Sequence, residues 1–68
     1  MTYRVTKFDN TGRKIADLGT RGSVIAARNL MIEDAGREPT EEPFHCPPRV
    51  VEGWFVGSTE YNIELVQS

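Results

Sequence analysis

Cysteine and histidine each occur once in this 68-residue chain, side by side as His45 and Cys46. A single cysteine cannot form an intrachain disulfide, and an unpaired thiol is typical of a reducing compartment. Zinc sites need three or four ligands at short spacings, so this pair predicts no metal centre. A nucleophilic Cys46 would need an adjacent base and backbone donors, but Pro47 and Pro48 lack amide hydrogens. We therefore expect no metal, no cofactor and no thiol catalysis.

Long apolar segments are also missing from the chain. No run approaches the roughly 20 residues of a membrane span, and no apolar stretch of a signal peptide follows the N-terminus. No acid and base are paired in a pattern that predicts catalysis, so we expect no catalytic residues. A domain of this length buries only about 60% of its unfolded surface, which leaves little core for a catalytic cleft. These features favour a cytoplasmic binding protein without membrane contact.

Charge is abundant, and it is unevenly distributed along the chain. Residues 1–28 carry six basic and two acidic side chains, a net charge of +4, whereas residues 29–68 carry two basic and eight acidic ones, a net charge of −6. Such asymmetry bears on association and steering and not on the fold. The acidic half could imitate a row of phosphates and occupy a basic nucleic-acid channel of another protein, provided that its carboxylates share one face.

The pattern of apolar residues predicts two hairpins that flank one helix. The four expected strands cover residues 2–8, 13–18, 50–56 and 60–66. Ser23 or Thr20 can cap a helix from Val24 to Ala35, and Gly36 stands where a left-handed residue ends such a helix. The predicted fold class is α+β: a single small domain, residues 1–68, of order β-β-α-β-β, with the helix packed on one face of an antiparallel sheet.

The connection between the helix and the third predicted strand is unusual. All four prolines of the chain lie in it, and its first half is acidic, from Glu38 to Glu42. Connections of this length without regular structure are uncommon in compact domains and are often either functional or disordered. We therefore predict a proline-rich acidic loop at about 37–49.

Aromatic residues concentrate in the last predicted hairpin. Alternation along its first strand places Val51 and Phe55 on one face and Val50, Trp54 and Val56 on the other. One helix can cover only one face, so an aromatic side chain should stay uncovered unless a homodimer or the proline-rich loop covers it. Aromatic residues rimmed by carboxylates are typical of interface hot spots. The candidate protein-binding residues are Trp54, Phe55, Tyr61, Glu52, Glu60 and Glu64, with Trp54 or Phe55 as the anchor.

A second hypothesis uses the basic first hairpin as a small nucleic-acid-binding module. Cations interleaved with aromatic residues favour single-stranded nucleic acid, and the sequence from Gly19 to Gly22 resembles the G-x-x-G loop of KH RNA-binding domains. The candidate residues are Arg4, Lys7, Arg13, Lys14 and Arg21. The overall acidity, with a pI near 5.2, ranks this hypothesis below protein binding because nucleic-acid affinity depends on clustered basic groups.

In size, acidity and element order the chain resembles small phage-encoded inhibitors of bacterial defence, such as anti-CRISPR proteins. The likeness concerns the architecture of the whole chain and includes no motif, so it transfers no residue role. It implies stoichiometric binding to a larger host protein or nucleoprotein complex, through carboxylates that face a basic channel or aromatic residues that block a subunit surface.

Overall fold

The structure is a computed structural model, and it describes residues 1–66. Within these residues five antiparallel strands form one sheet and one helix packs on it, which confirms the predicted α+β class. The last two residues of the predicted domain 1–68 lie outside the described part. The elements are β1 (Thr2–Phe8), β2 (Lys14–Arg21), α1 (Val24–Ala35), β3 (Phe44–Cys46), β4 (Val50–Val56) and β5 (Thr59–Val66).

The two ends of the described chain meet in the middle of the sheet. The strand order is β2-β1-β5-β4-β3, and β1 and β5 pair without interruption from Thr2 with Val66 to Phe8 with Glu60. The edges are less regular, because β2 shifts register twice against β1 and β3 has only three residues. Bulged and short edge strands resist pairing with another chain. The sheet is therefore poorly suited to accept a further strand.

Both ends of α1 have the predicted caps. The Ser23 hydroxyl accepts a hydrogen bond from the Ala26 amide at 3.1 Å. Gly36 has a φ of 77°, and its amide donates to the Ile32 carbonyl. Such caps satisfy backbone groups that a helix end otherwise leaves without a partner. The bounds of the helix are thus encoded by its neighbouring residues.

The core lies between α1 and the central strands. Its buried residues come from both layers: Val5, Ala27, Met31, Val56, Tyr61 and Ile63. Val5 and Ile63 are cross-strand partners and are fully buried. Because strand side chains alternate, every second residue along β1 and β5, counted from Val5 and Ile63, also faces α1. This alternation decides which candidate residues belong to the core.

Part of the proline-rich loop is in fact a strand. In β3, Phe44 pairs with Gly53 of β4, and the Phe44 ring fills the space that a Cβ of residue 53 would need. Glycine at position 53 therefore allows the ring to lie directly on the sheet. Three residues between prolines show too little alternation to predict such a strand.

Two register details correct the predicted strands. Val50 pairs with Glu64 whereas Glu52 pairs with Ile63, so Val51 is an extra residue, and Val50 lies on the face opposite Trp54. The second strand continues to Arg21 instead of ending near residue 18. It passes through Gly19, which lies at a bulge and has a φ of 108°. A residue with a side chain would be strained at this φ.

Candidate protein-binding surface

No helix or strand among residues 1–66 packs on the side of the sheet away from α1, which we call the open face. Strand register places its residues in three rows: Lys14, Phe8, Glu60 and Phe55; Asp17, Thr6, Asn62, Gly53 and Phe44; and Thr20, Arg4, Glu64, Val50 and Cys46. The open face therefore combines aromatic, basic and acidic side chains.

All three phenylalanines of the chain lie on the open face. Phe55 is 45% exposed, and its ring centroid is 5.5 Å from that of Phe44. Phe44 and Phe8 are partly buried. The expected uncovered aromatic residue is therefore present, and it is Phe55. Alternation along β1 already places Phe8 on the face opposite Val5. The position of Phe44 could not be predicted, because no pattern in the sequence predicts β3.

Tyr61 lies on the other side of the sheet, in the core. Its side chain is 1% exposed, and its hydroxyl donates to Asp34 Oδ2 at 2.8 Å. The Lys7 ammonium donates to the same oxygen at 2.9 Å and lies 5.7 Å from the Tyr61 ring centroid. These contacts fasten α1 to β1 and β5. Tyr61 is therefore not accessible to a partner in this structure, and Lys7 is held in an internal ion pair.

Trp54 and Glu52 also face the helix layer. Glu52 accepts hydrogen bonds from Arg28 Nε at 3.1 Å, Arg28 Nη2 at 2.6 Å and Trp54 Nε1 at 2.9 Å. The Arg28 guanidinium lies 5.6 Å from the Trp54 ring centroid. Burial alone raises the pKa of Glu52, but the Arg28 and Trp54 hydrogen bonds outweigh it and hold this pKa below its ordinary value. The cluster joins α1 to β4, so we assign these candidate residues to the fold.

Glu60 and Glu64 lie on the open face, in the two outer rows. Glu64 accepts a hydrogen bond from Thr6 Oγ1 at 3.4 Å and lies 3.9 Å from Arg49 Nε. Glu60 has no lysine or arginine nitrogen within 4.0 Å among residues 1–66, and it pairs across the strands with both Phe55 and Phe8. Of the candidate carboxylates, Glu60 is thus the one next to the exposed aromatic ring.

A groove borders Phe55 on its loop side. It has a volume of about 200 Å³, and the residues that line it are Arg37, Glu38, Thr40, Glu41, Phe55, Val56 and Gly57. Both carboxylates are exposed. The acidic part of the predicted loop therefore lies beside the exposed phenylalanine and Glu60.

The basic candidate residues occupy separate places. Arg4 lies on the open face with its Nε 3.3 Å from Asp17 Oδ2, whereas Lys7 faces the helix layer. Lys14 and Arg21 stand at opposite ends of β2, about 20 Å apart at the rise of a strand, and Arg13 precedes Lys14 at the turn. The first hairpin therefore does not gather these cations into one patch.

Asp34 makes the stability of the fold depend on pH. Its hydrogen bonds from Lys7, and then from Tyr61, hold its pKa below the ordinary value of 3.8. The folded state favours the carboxylate, so this stabilisation is complete above that value and is lost as the pH falls through the pKa of the folded protein. We expect Asp34→Asn to flatten the decline in urea midpoint between about pH 6 and about pH 2.

Glu33→Gln provides the control for that measurement, because Glu33 is exposed on the same helix and makes no ion pair among residues 1–66. Its pH profile should follow that of the unaltered protein. An unchanged slope in Asp34→Asn would show that the Lys7–Asp34–Tyr61 contacts do not set the acid stability.

Comparison of the chain with protein-family models, curated proteins and solved structures finds no match. Among residues 1–66, no three histidine, cysteine, aspartate or glutamate side chains are grouped as a metal ion would require. Within that part of the chain, no helix has the combination of length and apolar character that crossing a membrane requires. The functional interpretation therefore rests on the surface itself.

Proposed function

We propose that this chain is a small non-enzymatic binding protein that docks its open face onto a larger protein, with Phe55 as the apolar anchor. The observation that carries the proposal is the 45% exposure of Phe55 on a sheet face without a second layer. Phe44 supports the ring and Glu60 lies beside it. An aromatic residue rimmed by charge is the usual composition of an interface hot spot.

The regular structure favours this face over the other surfaces. Both sheet edges are bulged or short, which disfavours docking by strand addition. The centre of the open face is tightly packed, because Thr6 is only 1% exposed beneath its neighbours. A partner would therefore contact the side chains of the face and would not enter the sheet. The area beside Phe55 offers both an apolar surface and unpaired charge.

The form of binding that we propose is stoichiometric inhibition or modulation of a larger host protein or nucleoprotein complex, as the likeness to anti-CRISPR-type inhibitors implies. The free thiol of Cys46 is exposed, which fits a reducing compartment such as the cytoplasm. Binding of this kind needs a prepared surface and no chemistry, and the open face supplies such a surface.

Nucleic-acid binding is the second candidate function, and the three phenylalanines of the open face favour it because bases stack on aromatic rings. The carboxylates of β5 oppose it. Glu60 lies between Phe8 and Phe55, and Glu64 lies beside Arg4. Arg4 is already paired with Asp17. Phosphates would meet repulsion at the centre of this surface. We therefore rank a protein partner first.

The decisive experiment compares three immobilised baits in a lysate of the native host. They are the unaltered chain, Phe55→Ala and the control Ile25→Ala, which removes an exposed side chain from α1, 67% exposed, on the other side of the molecule. Candidate partners are proteins retained by the first and third baits and lost from the second. With the purified partner, Phe55→Ala should raise Kd about 30-fold or more, which corresponds to about 2 kcal/mol.

Circular dichroism melting of each bait separates lost binding from lost folding. If the purified partner binds Phe55→Ala as tightly as the unaltered chain, the open face is not the interface. If short oligonucleotides bind the unaltered chain more tightly than about 1 μM at about 150 mM salt, nucleic acid takes first place.

A further inference from the structure

The groove beside Phe55 indicates what chemistry the partner presents. We infer that the partner inserts a basic segment into this groove, with an arginine or lysine side chain against Phe55. This inference rests on the proposed open-face interface. The groove measures about 200 Å³, which accommodates one long side chain and its neighbouring backbone. Phe55, Glu38 and Glu41 are all among the residues that line it.

Charge complementarity is the first argument for this occupant. Among residues 1–66, four carboxylates already have basic partners within 4.0 Å: Asp17, Asp34, Glu52 and Glu64. Glu38, Glu41 and Glu60 have none in that part of the chain. These three surround Phe55, two in the groove and one beside the ring on the open face. Of the six carboxylates of residues 1–66 that have no basic partner within 4.0 Å, three therefore lie together at the exposed ring.

Arg37 is the one basic residue that lines the groove, and it does not neutralise it. Its guanidinium lies against Gly57, where a Cβ would come within 2.7 Å of Arg37 Nη2. It makes no ion pair within 4.0 Å with the described carboxylates. With Glu38, Glu41 and Glu60 nearby, the local charge stays negative.

The aromatic ring is the second argument. Phe55 is 45% exposed, with Phe44 in contact on one side at an interplanar angle of 39°. The face of an aromatic ring attracts a cation through its quadrupole, and arginine stacks on it while its nitrogens bind carboxylates. A neutral apolar side chain would use the ring alone, and an acidic one would be repelled. Ring and carboxylates together therefore select a cation.

A peptide titration followed by NMR of the ¹⁵N-labelled chain tests the inference. The probe is an acetylated and amidated pentapeptide of alternating glycine and arginine, with glutamine and glutamate counterparts as controls. The arginine peptide should shift the backbone amides of Thr40, Phe55 and Gly57, and the glutamine peptide should bind at least about tenfold more weakly. Shifts elsewhere, or equal shifts with the glutamate peptide, would overturn the inference.

Substitutions assign the effect to the groove. The triple variant Glu38→Gln, Glu41→Gln and Glu60→Gln should weaken binding of the arginine peptide at least about tenfold and reduce its salt dependence. Glu33→Gln, an exposed carboxylate on α1, is the matched control and should bind the peptide like the unaltered chain. If the triple variant binds the peptide unchanged, the carboxylates do not select the cation and the inference fails.

The purified partner distinguishes this inference from the proposed function. If Phe55→Ala weakens the complex and the triple variant does not, the open face is the interface but the partner presents no basic segment there. If neither change matters, the proposed function fails as well. The basic N-terminal half of a second copy is the competing occupant. Concentration-dependent dimerisation that the triple variant abolishes, seen by light scattering, would overturn the assignment to a larger partner.

Discussion

Tyr61→Ala should leave the domain largely unfolded at about 37 °C. Tyr61 is 1% exposed beneath α1, and its hydroxyl donates a hydrogen bond to Asp34. Truncating a buried aromatic side chain costs about 3–5 kcal/mol, whereas a chain of this length has a total stability of about 3–10 kcal/mol. Circular dichroism melting and urea titration would show a transition that is lost or shifted far towards lower temperature and lower denaturant.

Tyr61→Phe is the matched control, because it keeps the ring and removes only the hydrogen bond to Asp34. A loss of about 1.5 kcal/mol is expected, the lower end for a hydrogen bond to a charged group, because Asp34 is partly exposed and keeps its bond from Lys7. The sequence placed Tyr61 among the protein-binding residues, and the same pair of variants tests that placement. If Tyr61→Ala melted like the unaltered chain and lost only partner binding, Tyr61 would belong to the interface.

Local rules explain why much of the fold was predictable. Helix caps depend on residues next to the helix, and Ser23 and Gly36 specify both ends of α1. Alternation over seven or eight residues predicts a strand without knowledge of its partner, as in β1 and β5. Since the two hairpins flank a single helix, an antiparallel sheet with one covered face followed from element order.

Long-range pairing explains what was missed. β3 has three residues, and its Phe44 lies over Gly53 of β4, a contact between distant positions that no local pattern reports. The extra residue Val51 moves Val50 to the open face, and this bulge is visible only in the pairing of β4 with β5. Register and bulges depend on both strands, so one strand's sequence underdetermines them.

The candidate site was half predictable for the same reason. Trp54 and Phe55 are adjacent, so they point to opposite faces of the sheet. One of them was therefore expected to be uncovered unless the proline-rich loop or a second copy covered it. The choice between them depends on which face α1 covers. Val56, Tyr61 and Ile63 share the face of Trp54, and their combined apolar surface draws the helix to that side. Counting the apolar residues on each face of β4 and β5 would have indicated that α1 covers the face of Trp54 and leaves Phe55 exposed.

Glu52→Ala should cost about 2–3 kcal/mol of unfolding free energy and leave partner binding unchanged. The substitution removes the acceptor of three hydrogen bonds, two from Arg28 and one from Trp54. Bonds to a charged group are worth more than neutral ones, and partly buried donors would be left without a partner. The Glu52 side chain is 13% exposed and that of Arg28 is 35% exposed, so solvent recovers part of the loss.

Glu60→Ala is the comparison variant, and we expect it to change partner binding and not stability. Glu60 lies on the neighbouring strand and has no basic partner among residues 1–66, so its loss should change stability by less than about 0.5 kcal/mol. Its loss should instead slow association with the partner, because charge at the edge of an interface steers encounter. Urea titration and stopped-flow association of both variants would separate the two roles. The assignment of Glu52 to the fold and Glu60 to the interface is wrong if the phenotypes are exchanged, with Glu52→Ala fully stable but slow to bind.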